Sequence, residues 1–266
     1  MAPGKQPLNI FRLSRGDDPP EVVNWRLWLA VFSFGIMGCA RGLDEGLISG
    51  TLASVDFRTS LHLPPVDSKE YADVQATISS MVQLGSVGGA GLAFLACDRI
   101  GRLWAVRELC AIWVFGIALF MGNGGSLGMV YAGRFIAGLR IGQASVVAPV
   151  YLSEIAPRSL RGLCATMFAA SVYIGIMLAY FANWGCQLHV SDTQSSRWLI
   201  PTSLHLMFAG VIFSMSFLNK ESPRYLIKRG KDTSARETLA YIRNLPVEHH
   251  YVQWEIQEIQ HHIEEE

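Results

Sequence analysis

The chain has 266 residues, half of them hydrophobic and 17% charged, and its 22 basic residues are balanced by 22 acidic ones. That balance points away from a nucleic-acid partner, which selects for clustered excess Lys and Arg. The apolar residues fall in six long segments that are apolar all round, and a soluble domain of this length does not bury so many of those.

The first 25 residues are polar and carry Pro3, Pro7, Pro19 and Pro20. They predict a disordered lead with no apolar signal-peptide core, so the first apolar segment is expected to serve as the insertion signal. The six segments are Arg26–Gly50, Val74–Ala96, Leu103–Gly122, Leu127–Val150, Leu163–Trp184 and Trp198–Leu218. Each is long enough to cross a hydrocarbon core of ~30 Å as a helix. An all-α membrane protein with six transmembrane helices over residues 26–218 follows.

The 51–73 loop, with Pro64, Pro65 and four acids, is expected to face outward. Gly85, Gly88, Gly89 and Gly91 in the second segment, and Gly133, Gly138 and Gly142 in the fourth, predict close helix contacts. Gly122-Asn123-Gly124-Gly125 reads as a tight turn between the third and fourth segments. Residues 219–266 change character. Apolar residues at helical spacing around Leu239 and Ile256, with Pro246 between them, predict one or two amphipathic helices.

Basic residues set the orientation. Lys5, Arg12, Arg15 and Arg26 precede the first segment, Arg99 and Arg102 follow the second, Arg158 and Arg161 follow the fourth, and five more follow the sixth between Lys220 and Lys231. The other side holds Arg58, Lys69 and Arg197. Both the N-terminus and the 219–266 region are expected in the cytoplasm, with the protein in the plasma membrane.

Charges inside a span cost about 2.5–3.5 kcal/mol each and call for a partner or a function. Asp44 lies ~27 Å along the first helix from Arg26, and Arg134 lies ~10 Å inside the outer end of the fourth. Both fall in the outer part of the membrane, where they can pair. Arg41 and Glu45, four residues apart, can face each other. Arg140 sits near mid-membrane, where it either snorkels, pairs with Glu45, or disturbs packing. Cys39, Cys97, Cys110, Cys164 and Cys186 show no metal-ligand spacing and read as packing residues. No nucleophile triad, phosphate loop or cofactor motif is present, and no metal or cofactor is expected.

Four stretches in order carry a family signature: Gly42-Leu43-Asp44-Glu45-Gly46; Asp98-Arg99-Ile100-Gly101-Arg102; Gly133-Arg134-Phe135 through Tyr151-Leu152-Ser153-Glu154 to Arg161-Gly162; and Glu221-Ser222-Pro223-Arg224. Over residues 25 to 245 the chain resembles the sugar porter family of the major facilitator superfamily, most of all its fungal members. The resemblance implies a twelve-helix fold of two six-helix halves joined by a cytoplasmic helical linker, with substrate bound between the halves. This chain resembles the first half and the linker, residues 219–266.

The resemblance implies further roles. The aspartate and arginine matching Asp44 and Arg134 form a proton-coupling pair in proton-linked relatives, the other reading being a static tie. Arg41 replaces an aromatic that lines the sugar pocket, and a guanidinium there suits a carboxylate-bearing polyol such as quinate. Ala169 stands where many relatives have a sugar-contacting glutamine, Gly175 keeps a family glycine, and His205 stands where glutamine is common. These four are the candidate substrate positions. Asp98, Arg99, Arg102, Glu154, Arg161, Glu221 and Arg224 match a cytoplasmic charge network that latches the outward-facing state. Phe94 and Leu103 depart from its motif, replacing a glycine and a basic residue.

The expected function is transport of sugars, polyols or polyol acids by alternating access, either proton-coupled or facilitative. The alternative is a non-transporting truncated, regulatory or sensor half that pairs with a full carrier, with a second half or with its own copy.

Overall fold

The computed structural model describes residues 18–265. These form ten α-helices and no strand. They are α1 (Trp25–Ala53), α2 (Val55–Ser60), α3 (Lys69–Ile100), α4 (Arg102–Met121), α5 (Leu127–Ile155), α6 (Arg161–His189), α7 (Ser196–Met215), α8 (Pro223–Lys228), α9 (Asp232–Arg243) and α10 (His250–Glu264). Six helices, α1 and α3 to α7, are long and apolar enough to cross a membrane.

Local chemistry sets several boundaries. Asn24 caps α1, its Oδ1 accepting from the amides of Arg26 and Leu27. Between α4 and α5, Asn123 Oδ1 accepts from the Gly125 amide, and Gly124 and Gly125 adopt positive φ, a backbone conformation that favours glycine. The helices outrun the apolar segments. α3 runs through Asp98 and Arg99, which the sequence placed after the helix, and α5 runs through Pro149 to Ile155. Polar residues at the membrane surface keep their helical hydrogen bonds, so hydropathy marks the hydrocarbon boundary and not the helix end.

Two crossings organise the bundle. α3 packs on α5 and α1 packs on α6. A Cβ on Gly142 would lie 1.9 Å from the Ser86 carbonyl oxygen, and one on Gly89 the same distance from that of Leu139. Backbones meet there, as the glycine pattern predicts, whereas Gly91 faces open space. The two crossings exchange if the first three spans are swapped with the last three, the pattern of an inverted repeat. The main core lies among α1, α4, α5, α6 and α7.

One expectation is corrected and two gain detail. Residues 18–25 are ordered: Pro20–Val22 form a 3-10 turn and Val22 is buried; residues 1–17 of the expected lead lie outside the described residues. The 51–73 loop contains α2, anchored by Phe57 against Phe120 and Trp198. The tail forms three helices, α8 being a short one capped by Ser222.

Helices α8 to α10 pack on one end of the bundle, hereafter the linker end. Arg243 Nη1 donates to the Ile155 carbonyl at 2.7 Å, while its Nε and Nη2 grip Glu255 at 2.9 and 2.5 Å. Asn24 Nδ2 donates to the Ile242 carbonyl at 2.8 Å. The entry to α1, the end of α5 and the linker helices are thereby tied together.

Candidate functional site

The buried charges of α1 and α5 meet. Arg134 Nη1 donates to Asp44 Oδ1 at 2.9 Å, with 2% of the Asp44 side chain and 7% of the Arg134 side chain exposed. Only one guanidinium nitrogen makes this bond, and Arg134 Nε has no hydrogen-bond partner. The pair sits in the wall of an open cavity of about 430 Å³ between α1, α3 and α5. Arg41, Glu45, Gln83 and Ser145 share that wall. Arg41 Nε donates to Glu45 at 3.3 Å and its Nη1 to Ser145 Oγ at 3.3 Å, and both ionic side chains are about two-fifths exposed. The cavity therefore presents a cation whose hold on its neighbours is weak.

Behind the pair a cleft of about 10 Å³ joins Asp44 and Arg134 to Thr202 and His205. That is room for about one water. His205 is buried, meets Trp113 edge-on at 5.7 Å, and its Nδ1 is unpartnered. It lines the cleft and not the open cavity. Arg140 lies over Trp113, its guanidinium carbon 4.0 Å from the ring centre, with all three nitrogens unpartnered. It is 1% exposed, so it neither snorkels nor pairs with Glu45; a cation–π stack holds it instead. This stack joins residues 27 positions apart on different helices, which no local spacing reveals.

The other candidate substrate positions lie elsewhere. Ala169 is exposed on α6 and borders neither cavity. Gly175 is buried in the α1–α6 crossing, where a Cβ would lie 2.1 Å from the Cys39 carbonyl oxygen, so its smallness serves packing.

The linker end carries a different kind of cluster. Arg102 is buried and grips Glu154 with two bonds of 2.9 and 2.7 Å, while its Nη1 reaches the Cys97 carbonyl at 3.0 Å and Asp98 at 3.5 Å. Glu221 caps α4, accepting from the amides of Arg102 at 3.0 Å and Leu103 at 3.2 Å, and from its neighbour Ser222 at 2.9 Å. Burial outweighs these bonds and holds the Glu221 carboxyl above its ordinary pKa. Gly101, at φ +92°, must be glycine twice over, because a Cβ there would lie 2.5 Å from Glu221.

Asp98, Arg102, Glu154 and Glu221 thus form one connected cluster. Arg99 joins through its carbonyl, which accepts from Tyr225 and Arg229. Arg161 and Arg224 line a cavity of about 390 Å³ with Glu154, Glu255 and Glu258. Leu103 contributes its amide, and Phe94 is 72% exposed at the motif's glycine position. Arg243 and Glu255, which were not among the expected site residues, extend the cluster into the linker; their signal was an amphipathic helix with a basic residue in its last turn.

Residues 30–266 match the family described as "Sugar (and other) transporter". The chain belongs to this transporter family of the major facilitator superfamily. Among curated proteins it is 34% identical over 253 residues to the probable quinate permease of Neosartorya fischeri, covering 93% of this chain and 46% of that protein. It is 32% identical over 250 residues to the quinate permease of Emericella nidulans, again covering 93% and 46%. The chain spans about half the length of the curated relatives it matches. Among solved structures, the xylose transporter XylE from E. coli in a partially occluded inward-open conformation superposes with a TM-score of 0.80 at 20% identity, covering 90% of this chain and 60% of that one. A structure of the proton:xylose symporter XylE bound to 6-bromo-6-deoxy-D-glucose gives 0.78 at 21% identity, covering 89% and 53%. At these identities the likeness establishes the fold, an integral-membrane major facilitator half, in a family of transporters and not of enzymes.

Proposed function

We propose that this chain supplies the first half of a proton-coupled carrier for carboxylate-bearing polyols of the quinate type, working by alternating access. One observation carries this reading. A single cavity wall holds Arg41 and the buried Asp44–Arg134 pair side by side. Arg41 retains donors for a substrate carboxylate, and its weak bond to Glu45 is one that such a substrate can displace. The names of the quinate permease relatives agree with that chemistry.

The proton acts on Asp44. Neutralising its carboxyl removes the charge that holds Arg134, which frees α1 and α5 to shift against each other and biases the two access states. The Asp98–Arg102–Glu154–Glu221 cluster latches the linker end meanwhile. In this reading residues 26–218 are the six-helix half and 219–266 a linker on the cytoplasmic side of the plasma membrane, since the excess of Lys and Arg lies at that end. A second six-helix half forms the wall facing the cavity.

The test is a chimaera of this chain and the second half of the Emericella nidulans quinate permease, assayed for uptake in cells lacking quinate carriers. Saturable quinate uptake stimulated by external acid is expected. R41Q should raise the KM for quinate by about 10–100-fold, the worth of a charge-assisted hydrogen bond. Uptake of neutral hexoses alone, or quinate uptake indifferent to R41Q, contradicts the proposal.

A further inference from the structure

Two cations meet over one aromatic ring at the linker end. Arg26 lies in the first turn of α1, and its guanidinium carbon is 4.2 Å from the centre of the Tyr241 ring of α9. Lys220 follows α7, and its Nζ is 5.6 Å from the same centre. The two charges therefore lie within about 10 Å of each other, close enough to repel. Both are held in place. Arg26 Nη1 donates to the Tyr241 carbonyl at 3.0 Å, and the Tyr151 hydroxyl of α5 donates to the Lys220 carbonyl at 2.7 Å.

The described residues supply no anion for this pair. Neither cation forms an ion pair with any of them. Glu21, in the turn before α1, and Glu237, one turn before Tyr241 on α9, are exposed and pair with neither. Arg26 Nε is buried with no hydrogen-bond partner. Beside the cations the surface is apolar: Trp25, Phe217 and Leu218 are 60–65% exposed at the ends of two membrane-crossing helices. Cations set among aromatic and aliphatic side chains at a span's end match a lipid's own order of headgroup above acyl chain.

We propose that Arg26 and Lys220 seat one anionic glycerophospholipid of the leaflet at the linker end. Its phosphate takes charge-assisted hydrogen bonds from both cations, and its acyl chains run along Phe217 and Leu218 into the hydrocarbon. The lipid bridges the start of α1 to the chain that leaves α7. The site needs no second half and stands apart from the transport proposal.

Native mass spectrometry of the 266-residue chain tests this, with dioleoylphosphatidylserine and dioleoylphosphatidylcholine titrated separately in about 0.1 M ammonium acetate. The first phosphatidylserine should bind about 10–30-fold more tightly than the first phosphatidylcholine. K220Q, which breaks no hydrogen bond of the described chain, should weaken that first phosphatidylserine about 5-fold, and R26Q at least as much. K231Q removes the same charge ~15 Å before Tyr241 along α9, beyond the screening length, and should change it less than about 2-fold. Soluble glycerophosphoserine in excess should leave the lipid bound, because it lacks the acyl chains. If R26Q does not fold, K220Q decides. Equal affinity for the two lipids, no change in K220Q, or an equal loss in K231Q overturns the proposal. Displacement by glycerophosphoserine also overturns it, the pair then being a site for free phosphate esters.

Discussion

The two charge clusters of this bundle are built in opposite ways. Near the far end, Asp44 and Arg134 share one hydrogen bond, with a guanidinium nitrogen left over and a water-sized cleft behind. At the linker end, Arg102 spends four contacts on Glu154, Cys97 and Asp98, while Glu221 collects three backbone amides. A pair with a single bond is weakened by one proton, which removes the charge assistance. A cluster with many shared partners resists the loss of any one of them, because Arg102 and Glu154 are buried and would be left unsatisfied. In the proposed mechanism the first switches and the second holds.

Removing the central cation of the holding cluster is the largest way to break this contrast. R102L leaves Glu154 buried without its bidentate partner and should cost about 3–5 kcal/mol, read as a lowered unfolding midpoint in detergent by circular dichroism. D44N should cost less, about 1–2 kcal/mol, because the asparagine oxygen can still accept from Arg134. If D44N proves as damaging as R102L, the far-end pair is a structural tie like the other.

The smallest effect concerns pH. Glu221 has its pKa raised by burial, so the folded state binds its proton more readily than the unfolded chain does. Stability from this group is therefore fully present at low pH and is lost as pH rises from the ordinary glutamate value through the raised one. Unfolding midpoints across that window should fall with pH, and the slope should flatten in E221Q. An unchanged slope would place the cost of burial on another group.

The fold was largely legible because the bilayer makes hydropathy decisive, and because glycines at Gly85, Gly89, Gly138 and Gly142 mark where backbones touch. Asp44 and Arg134 were legible as a pair because charges at equal depth in a span must find each other. Contacts that depend on helix rotation were not legible. Arg140 needed Trp113 from another helix, and Arg26 and Lys220 needed Tyr241, which as an uncharged ring gives no signal in a charge count. Arg243 read as one basic residue of a surface helix, yet it reaches Ile155, 88 residues away, and ties the linker to α5. The expected disorder of residues 18–25 failed for a similar reason, since their partners lie in α9, α10 and the turn before α6.

The central claim is that a proton on Asp44 releases Arg134 and drives transport. The most direct measurement compares the wild-type and D44N chimaeras for quinate accumulation under an inward proton gradient and for quinate exchange without one. The account requires D44N to keep exchange and lose accumulation. Accumulation equal to the wild type, with the gradient intact, would contradict it.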